Sequence, residues 1–534
     1  MNVQQVAVIK RVGEEVHAYS NGKLIARSAK HKEVFESALR FLAEAGGGEL
    51  IIYSGEYLVS DIPLHSNVKI YGFGRVVLKL SDGEAVFRAV DKVVERVTID
   101  GIEIRGSGEG IALDFGKASS INNIVIGNVV VDGFRYGFRG AETGSSIAIA
   151  RSRFINCFTG LYVKAENIDI VSSEFSGCEY GVVGDLRSSR IIFTRFARNG
   201  VGVKGFDKGG IQKTQLIGNV FQGNKVLSAE LGEGSSLQSS HVVCEEPCEK
   251  GVELYGRNIV EGNMFSGVFS EAVVDVLGDD VVIASNIFYN ISTGRHVVRI
   301  GGGNATILGN TFHNVKGVAI DLENRYSYPI IVANHFSDVE GVVIRISQEV
   351  RAPLIALNSF SLTKESQILV HSNEASSYFP TIIGNTVYVE VAQPNPLLNL
   401  KLKAPGAIIA HNMLRAMTWR GASATILAGD ARGAIIEGNV FSGVTPLGII
   451  ATDEYTTIAN NYGLLSEVCG EAVLRTGMKS TVIEHGLGKK PKIVLLTPHG
   501  DAVLWIGKVD DKVFEVVAKE EPKTDITISW CAKI

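Results

Sequence analysis

Four short segments of this chain carry charges at a spacing that could do chemistry: AVVDV with Asp275, HVVRI with Arg299, VAIDL with Asp321 and VVIRI with Arg345. Val and Ile alternate with the charged residue in each, so a strand would turn the apolar side chains one way and the charge the other. If the segments are successive layers of one sheet, Asp275 and Asp321 lie two layers apart, about 9.6 Å at the usual strand spacing. Inverting glycosidases hold their carboxyl groups roughly 6.5 to 9.5 Å apart to admit a water. The spacing therefore permits cleavage of a glycosidic bond by Asp275, Asp321 and Arg299, with Arg345 and His296 as substrate contacts. Alternating minus and plus is also the pattern of a ladder of ion pairs on a solvent-facing sheet, where opposite neighbours contribute about 0.2 to 1 kcal/mol each. The ladder is the plainer reading.

The six cysteines fall into three pairs. Cys157 and Cys178 stand three residues after Phe154 and Phe175, hence at equivalent places of adjacent layers, within the span a disulfide tolerates. A column of buried free thiols is the alternative. Cys244 and Cys248 would close a small loop, and Cys469 and Cys531 would clasp the C-terminal end. Three bridges would imply an oxidising compartment or a hyperthermophilic host. No second Cys or His pair completes a four-ligand zinc set, and no cluster of carboxylates forms a calcium cage. Neither a metal nor another cofactor is expected.

The elements that must position these residues are set by a repeat. An Asn-x-apolar motif recurs at Asn128, Asn219, Asn263, Asn286, Asn310, Asn334, Asn358, Asn385, Asn412, Asn439 and Asn460. With degenerate copies, its apolar residue falls at Ile102, Val130, Phe154, Phe175, Phe196, Phe221, Phe265, Phe288, Phe312, Phe336, Phe360, Val387, Leu414, Phe441 and Tyr462. The intervals are 21 to 28 residues, except for one of 44 between Phe221 and Phe265. Alternating apolar residues between Gly, Asn and Ser corners indicate short strands. Short strands at this period fit the coils of a parallel β-helix, about 4.8 Å apart and about 70 Å long in all. The Asn column reads as structural, since Asn tolerates left-handed turns and its amides hydrogen-bond from coil to coil. The 44-residue interval holds either a degenerate coil or an outgoing loop at about 223–250.

With its Asn ladder at Asn263, Asn286, Asn310, Asn334 and Asn358, the chain resembles the right-handed parallel β-helices of the pectin-lyase-like superfamily. The lead-in KEVFESALRFLAEAGGGELIIYSGEYLVSDIPLHSNVKIYGFG has the order of helix, Gly run and strands seen at the start of many such proteins. Residues 32–45 place Phe35, Ala38, Leu39 and Leu42 on one helical face, a cap for the first coil. The resemblance spans about residues 28–465 and implies a fold rather than an activity, because that superfamily includes lyases, hydrolases, adhesins and viral tailspikes. Gly278-Asp279-Asp280 resembles the G-D-D of its polygalacturonases, which would make Asp279 and Asp280 substrate contacts. The accompanying N-T-D, G-H-G and R-I-K motifs are missing, so a polar turn is the plainer reading. Residues 466–534 resemble the β modules that end phage tail-fibre-like proteins, carrying HGLGKKP and a terminal WCA. That resemblance implies trimerisation or glycan attachment.

Residues 1–27 read as a small β module with a hairpin about Asn21-Gly22, and 466–534 as a small β-sandwich. The expected architecture is all-β: a right-handed single-stranded parallel β-helix over 28–465 between two small ends. Composition removes other classes. Net charge −5 without a basic cluster argues against nucleic acid. No apolar run of about 18 residues argues for a membrane helix, and the start MNVQQVAVIK has no signal-peptide core. The sequence thus points to a tailspike-like, tail-fibre-like or adhesin-like protein, extracellular or on a virion, expected as a homotrimer that recognises a polysaccharide or cell-surface glycan. A polysaccharide hydrolase or lyase is the alternative.

Overall fold

A computed structural model describes residues 5–323, 327–371, 377–391, 398–400, 404–416, 426–428, 432–443, 447–449, 455–463, 467–487 and 490–533. The chain divides into two compact units, residues 1–330 with 339–341 and residues 331–338 with 342–534.

The first unit opens with Gln5–Val12, Glu15–Ser20 and Lys23–Ser28 in antiparallel register. Asn21 and Gly22 both have positive φ, 47° and 76°, the conformation a two-residue hairpin turn requires. Gln5–Val12 also pairs in parallel with Gly48–Val59, so it covers the free edge of the first coil. The helix α1 (His31–Glu44) buries Val34, Phe35, Ala38, Leu39 and Leu42, with the Phe35 ring edge-on to Tyr57 at 5.5 Å. Gly47 ends its exit turn at φ 125°, where a Cβ would sit 2.5 Å from that of Asn67. No other residue fits there.

From Gly48 onward, successive coils pair in parallel. Phe154, Phe175, Phe196 and Phe221 form an inward column of near-parallel rings 5.0 to 5.3 Å apart. The column continues through Val242 to Phe265, Phe288 and Phe312. Val242 accounts for the long interval. Residues 223–250 belong to a coil of their own, whose strands Leu227–Leu231, Ser236–Gln238 and His241–Leu254 pair with the coils before and after. Within His241–Leu254 the register shifts between Cys244 and Cys248 and again between Cys248 and Lys250, where the strand bends. Two landmarks shift as well: the inward residues of the early coils are Ile104 and Val131, in register with Phe154, rather than Ile102 and Val130.

Each Asn of the ladder is buried and bridges coils. The backbone N–H and Nδ2 of Asn263 both donate to Asn286 Oδ1 at 2.9 Å, and Asn286 repeats this on Asn310. Earlier coils use hydroxyls in the same place, running Ser152, Ser173, Thr194, Asn219, Ser240 and then Asn263. The left-handed residue is not the ladder Asn but the one before it, such as Ser172, Phe193, Gly218, Ser285 or Gly309. Asn128 and Asn460 are therefore turn residues rather than rungs.

In the second unit the ladder runs Asn334, Asn358, Asn385, Asn412, Asn439 and Asn461. The inward column there is Phe336, Phe360, Val387, Leu414 and Phe441. Tyr462, expected inward, is 72% exposed and lies opposite Val440, one residue out of that column. The C-terminal residues build two three-stranded antiparallel sheets, Glu467–Leu474 with Ile526–Lys533 and Ile493–His499, and Ser480–Glu484 with Val513–Ala518 and Leu504–Val509. Phe514, Val516, Ile528 and Trp530 form their shared core.

Two of the three cysteine pairs are disulfides, Cys244–Cys248 and Cys469–Cys531. Cys157 and Cys178 are buried free thiols, so the bridge considered for them is not formed. The Cys157 sulfur lies 3.4 Å from Ile155 O, and the Cys178 sulfur 3.7 Å from both Ser176 O and Phe154 O of the neighbouring coil.

Candidate functional site

One outward column of the first unit carries the charges singled out in the sequence. Register places Arg88, Asp114, Arg139, Tyr162, Val183 and Lys204 on consecutive coils. Val203 pairs with Ala229, so the next residues, Lys204 and Glu230, continue the line. Glu230, Glu253, Asp275, Arg299 and Asp321 then follow in register. Their neighbours along the strand, Val274, Val276, Val298, Ile300, Ile320 and Leu322, fill the core.

Outward does not mean exposed. Asp275 is 1% and Asp321 0% exposed, because Lys250 and Arg299 lie across Asp275 and the His296 ring lies against Asp321. Asp275 Oδ2 accepts from Lys250 Nζ at 2.9 Å and Oδ1 from Arg299 Nη1 at 3.0 Å. Lys250 also reaches Glu253, and Arg299 Nε donates to Glu323 Oε2 at 2.7 Å. His296 places Nδ1 2.9 Å from Asp321 Oδ2 and Nε2 3.6 Å from Glu323 Oε1. Burial pulls the Lys250 ammonium down, but hydrogen bonds and charge from Glu253 and Asp275 outweigh this and raise it above its ordinary value.

At the other end of this group the balance reverses. Glu230 is 1% exposed and accepts the Gly209 N–H at 2.9 Å. Burial pushes its carboxyl above the ordinary range; the Gly209 hydrogen bond offsets part of this, and the Glu253 charge adds a smaller upward push. Tyr255, whose hydroxyl stands 3.4 Å from Glu253 Oε2, is pushed up to about 12 by burial and the same two carboxylates.

The same face turns aromatic on the preceding coils. Tyr136 meets Tyr162 edge-on at 5.6 Å, Tyr162 meets Phe206 at 4.6 Å and Phe158 meets Tyr180 at 5.8 Å. Phe158 is 52% exposed and Tyr162 36%. Cations flank the group: the Arg135 guanidinium stands over Tyr136 at 5.8 Å and Lys164 Nζ over Phe206 at 5.4 Å.

The structure thus gathers Asp275, Arg299, Asp321 and His296 into one network, in which Arg299 stands between the two aspartates in register. Arg345 lies in the second unit on the strand His335–Ile346. Asp279 and Asp280 sit apart on an exposed turn, Asp280 in the left-handed conformation and 3.4 Å from the Asn304 amide. Lys250, Glu253, Glu323, Glu230 and the aromatic group were not foreseen. Tyr162, Val183 and Lys204 each follow a column Phe by eight residues, Phe154, Phe175 and Phe196, so counting from the landmark would have found that stretch. It fails further on, where corner lengths change. His296, Asp321 and Glu323 bring three ligand atoms within 4.8 Å of one another. Arg299 already supplies positive charge there, which disfavours a metal cation.

A family model described as a right-handed β-helix region matches residues 250–392. This chain is a right-handed parallel β-helix protein. Comparison with the curated proteins found no match. Among solved structures, the tailspike protein of E. coli bacteriophage HK620 in complex with pentasaccharide is 11% identical, with 94% of this chain and 89% of that chain covered and a TM-score of 0.33. A double mutant of the same tailspike with pentasaccharide gives the same identity and coverage at a TM-score of 0.34. Among the described residues, no helix is long and apolar enough to cross a membrane.

Proposed function

We propose that this chain is a surface or virion protein that recognises glycans on the outward sheet face running from Tyr136 to Asp321. The observation that carries the reading is the aromatic group of Tyr136, Phe158, Tyr162, Tyr180 and Phe206, in which Phe158 and Tyr162 are exposed and the others half-buried, edged by Arg135 and Lys164. Pyranose rings present an apolar C–H face beside a rim of hydroxyls. Flat aromatic side chains at low entropic cost, with charged donors beside them, match both features. A glycan array probed with the wild-type chain and with Tyr162→Ala/Phe206→Ala tests this. Binding to defined glycans that falls at least tenfold in the variant is expected, and retention by the variant would overturn it. A homotrimer is part of the proposal, supported by the exposed apolar side chains Leu495, Val503 and Trp505 of the C-terminal module. Light scattering showing a monomer would remove that part.

One observation favours a second reading, hydrolysis or lysis of a polysaccharide in the groove of Asp275, Arg299 and Asp321. Glu230, a buried carboxyl raised above its ordinary range, stands in register beside the carboxyl of Glu253, as a general acid would stand beside a second carboxyl group. New reducing ends or unsaturated products from a polysaccharide panel, lost in Glu253→Gln or Asp321→Asn, would support it. A uniformly inert panel argues for recognition alone.

A further inference from the structure

The turn that steps out of register between Cys244 and Cys248 walls a cavity of about 920 Å³ on the first unit. Glu245, Glu246, Pro247 and Glu249 form one side, and Arg195, Arg198, Gln222 and Lys225 the other. Two features make this a built recess. The Cys244–Cys248 disulfide closes the turn over four residues and Pro247 fixes its backbone, so the acidic wall is held in place before any ligand arrives. The opposing charges, moreover, do not cancel. Arg195 donates to Gln222 Oε1 at 2.7 Å and lies near Glu174, and Gln222 in turn donates to Glu245 Oε1 at 3.2 Å. The Arg198 and Lys225 side chains make no ion pair among the described residues, nor do those of Glu246 and Glu249.

We propose that this recess binds an acidic sugar, a pyranose carrying a carboxylate, as a subsite beside the outward face. The chemistry selects that class. Arg198 and Lys225 offer charge-assisted donors to a carboxylate, with the guanidinium suited to a bidentate pair. Glu246 and Glu249 are acceptors for hydroxyls on the other side of the ring. A metal cation or an amine meets two unneutralised cations, and a bare inorganic anion meets three carboxylates. A sugar that separates its charge from its hydroxyls satisfies both walls. The volume lies in the range of small-molecule sites, about 300 to 1,000 Å³. Lys250 follows Glu249 directly and belongs to the Asp275 network, so a chain seated in the recess would lead onto the proposed glycan face.

The inference rests on glycan recognition as the function, and its test separates the two. Calorimetric titration of the full chain uses a galacturonate trimer, a neutral galactose trimer and inorganic sulfate. It is run on wild type, Arg198→Ala/Lys225→Ala, Cys244→Ser/Cys248→Ser and Tyr162→Ala/Phe206→Ala, with circular dichroism confirming each fold. The galacturonate trimer should bind at least tenfold more tightly than the neutral one. That preference should vanish in the Arg198/Lys225 variant, weaken in the cysteine variant and fade as salt rises. Equal affinity for both trimers, an unchanged preference in the Arg198/Lys225 variant, or sulfate binding as tightly as galacturonate each overturns the subsite. If galacturonate binds through Arg198 and Lys225 while the aromatic variant loses nothing, the subsite stands and the aromatic face does not. If neutral glycans need the aromatic residues and galacturonate is not preferred, the face stands and the subsite falls.

Discussion

Asp275 shows why a charge pattern alone does not define a catalytic site. Both of its oxygens are taken by cations, so it is a structural anion unless one of them moves. Lys250→Met leaves Asp275 with Arg299 alone and takes from Glu253 the cation it pairs with, and is expected to cost about 2 to 3 kcal/mol, somewhat under the 3 to 5 of a fully buried pair because Lys250 is partly open to solvent. A lower urea midpoint at unchanged slope checks this. Glu230 gives a prediction of opposite sign. Its folded-state carboxyl is raised, so the stability it contributes is present in acid and lost as pH rises through the folded value. Glu230→Gln should therefore have a higher Tm than wild type in neutral and mildly basic buffer, with the gap closing in acid below the ordinary carboxyl range. A gap that widens toward acid would contradict the assignment. The alternation of Asp275, Arg299 and Asp321 was legible in the sequence because strands have period two. Lys250 and Glu323 were not, because they reach the aspartates from other positions of neighbouring coils.

The coil corner is the element that repeats, and it divides its work between two adjacent residues. One is left-handed; the next is a buried Asn, Ser or Thr that satisfies backbone groups of the neighbouring coil. Asn286→Ala would leave the Asn263 N–H and the Val260 carbonyl without their partner. Two stranded buried groups predict a loss of about 2 to 4 kcal/mol, visible in thermal and chemical unfolding. Gly309→Ala probes the other half of the corner. A Cβ there meets nothing closer than Ser285 Oγ at 4.0 Å, so the cost is conformational, about 1 kcal/mol at φ 63°. Gly309→Asn should cost less than Gly309→Ala. Reading the Asn-x-Phe repeat found the corner but assigned the left-handed role to the wrong residue of the pair, since Gly-Asn and Asn-x spellings look alike until the ladder hydrogen bonds are traced. Ser240 and Val242 hid a whole coil in the same way. A hydroxyl can replace an amide as a rung, and Val can replace Phe in the column, without either spelling the motif.

At the scale of the whole molecule, each coil pairs only with its neighbours, so stability is close to a sum of local stacking terms. Deleting 176–196 removes one period of 21 residues and brings Phe175 and Phe221 into the same column on adjacent coils, keeping every later side chain on its own face. That protein should fold with an unchanged strand spectrum and a modestly lower Tm. Deleting 177–196 leaves one extra residue, Ser176, in the corner after Phe175, which must bulge out or displace the ladder position that follows, and should lower the Tm further than the first deletion. Equal behaviour of the two would refute the local-stacking account. The sequence by itself determined the parallel β-helix, its period and the type of its two ends, because a solenoid writes the same inside–outside alternation at every turn and turn residues are locally specified. Tertiary structure alone decided what the outward residues do. Whether a charge is open or ion-paired, which aromatics meet, and that a disulfide-closed turn walls a recess beside Arg198 and Lys225 all depend on corner lengths that vary from coil to coil. Those lengths set which side chains from neighbouring coils come within reach, and that is a distance in space rather than along the chain.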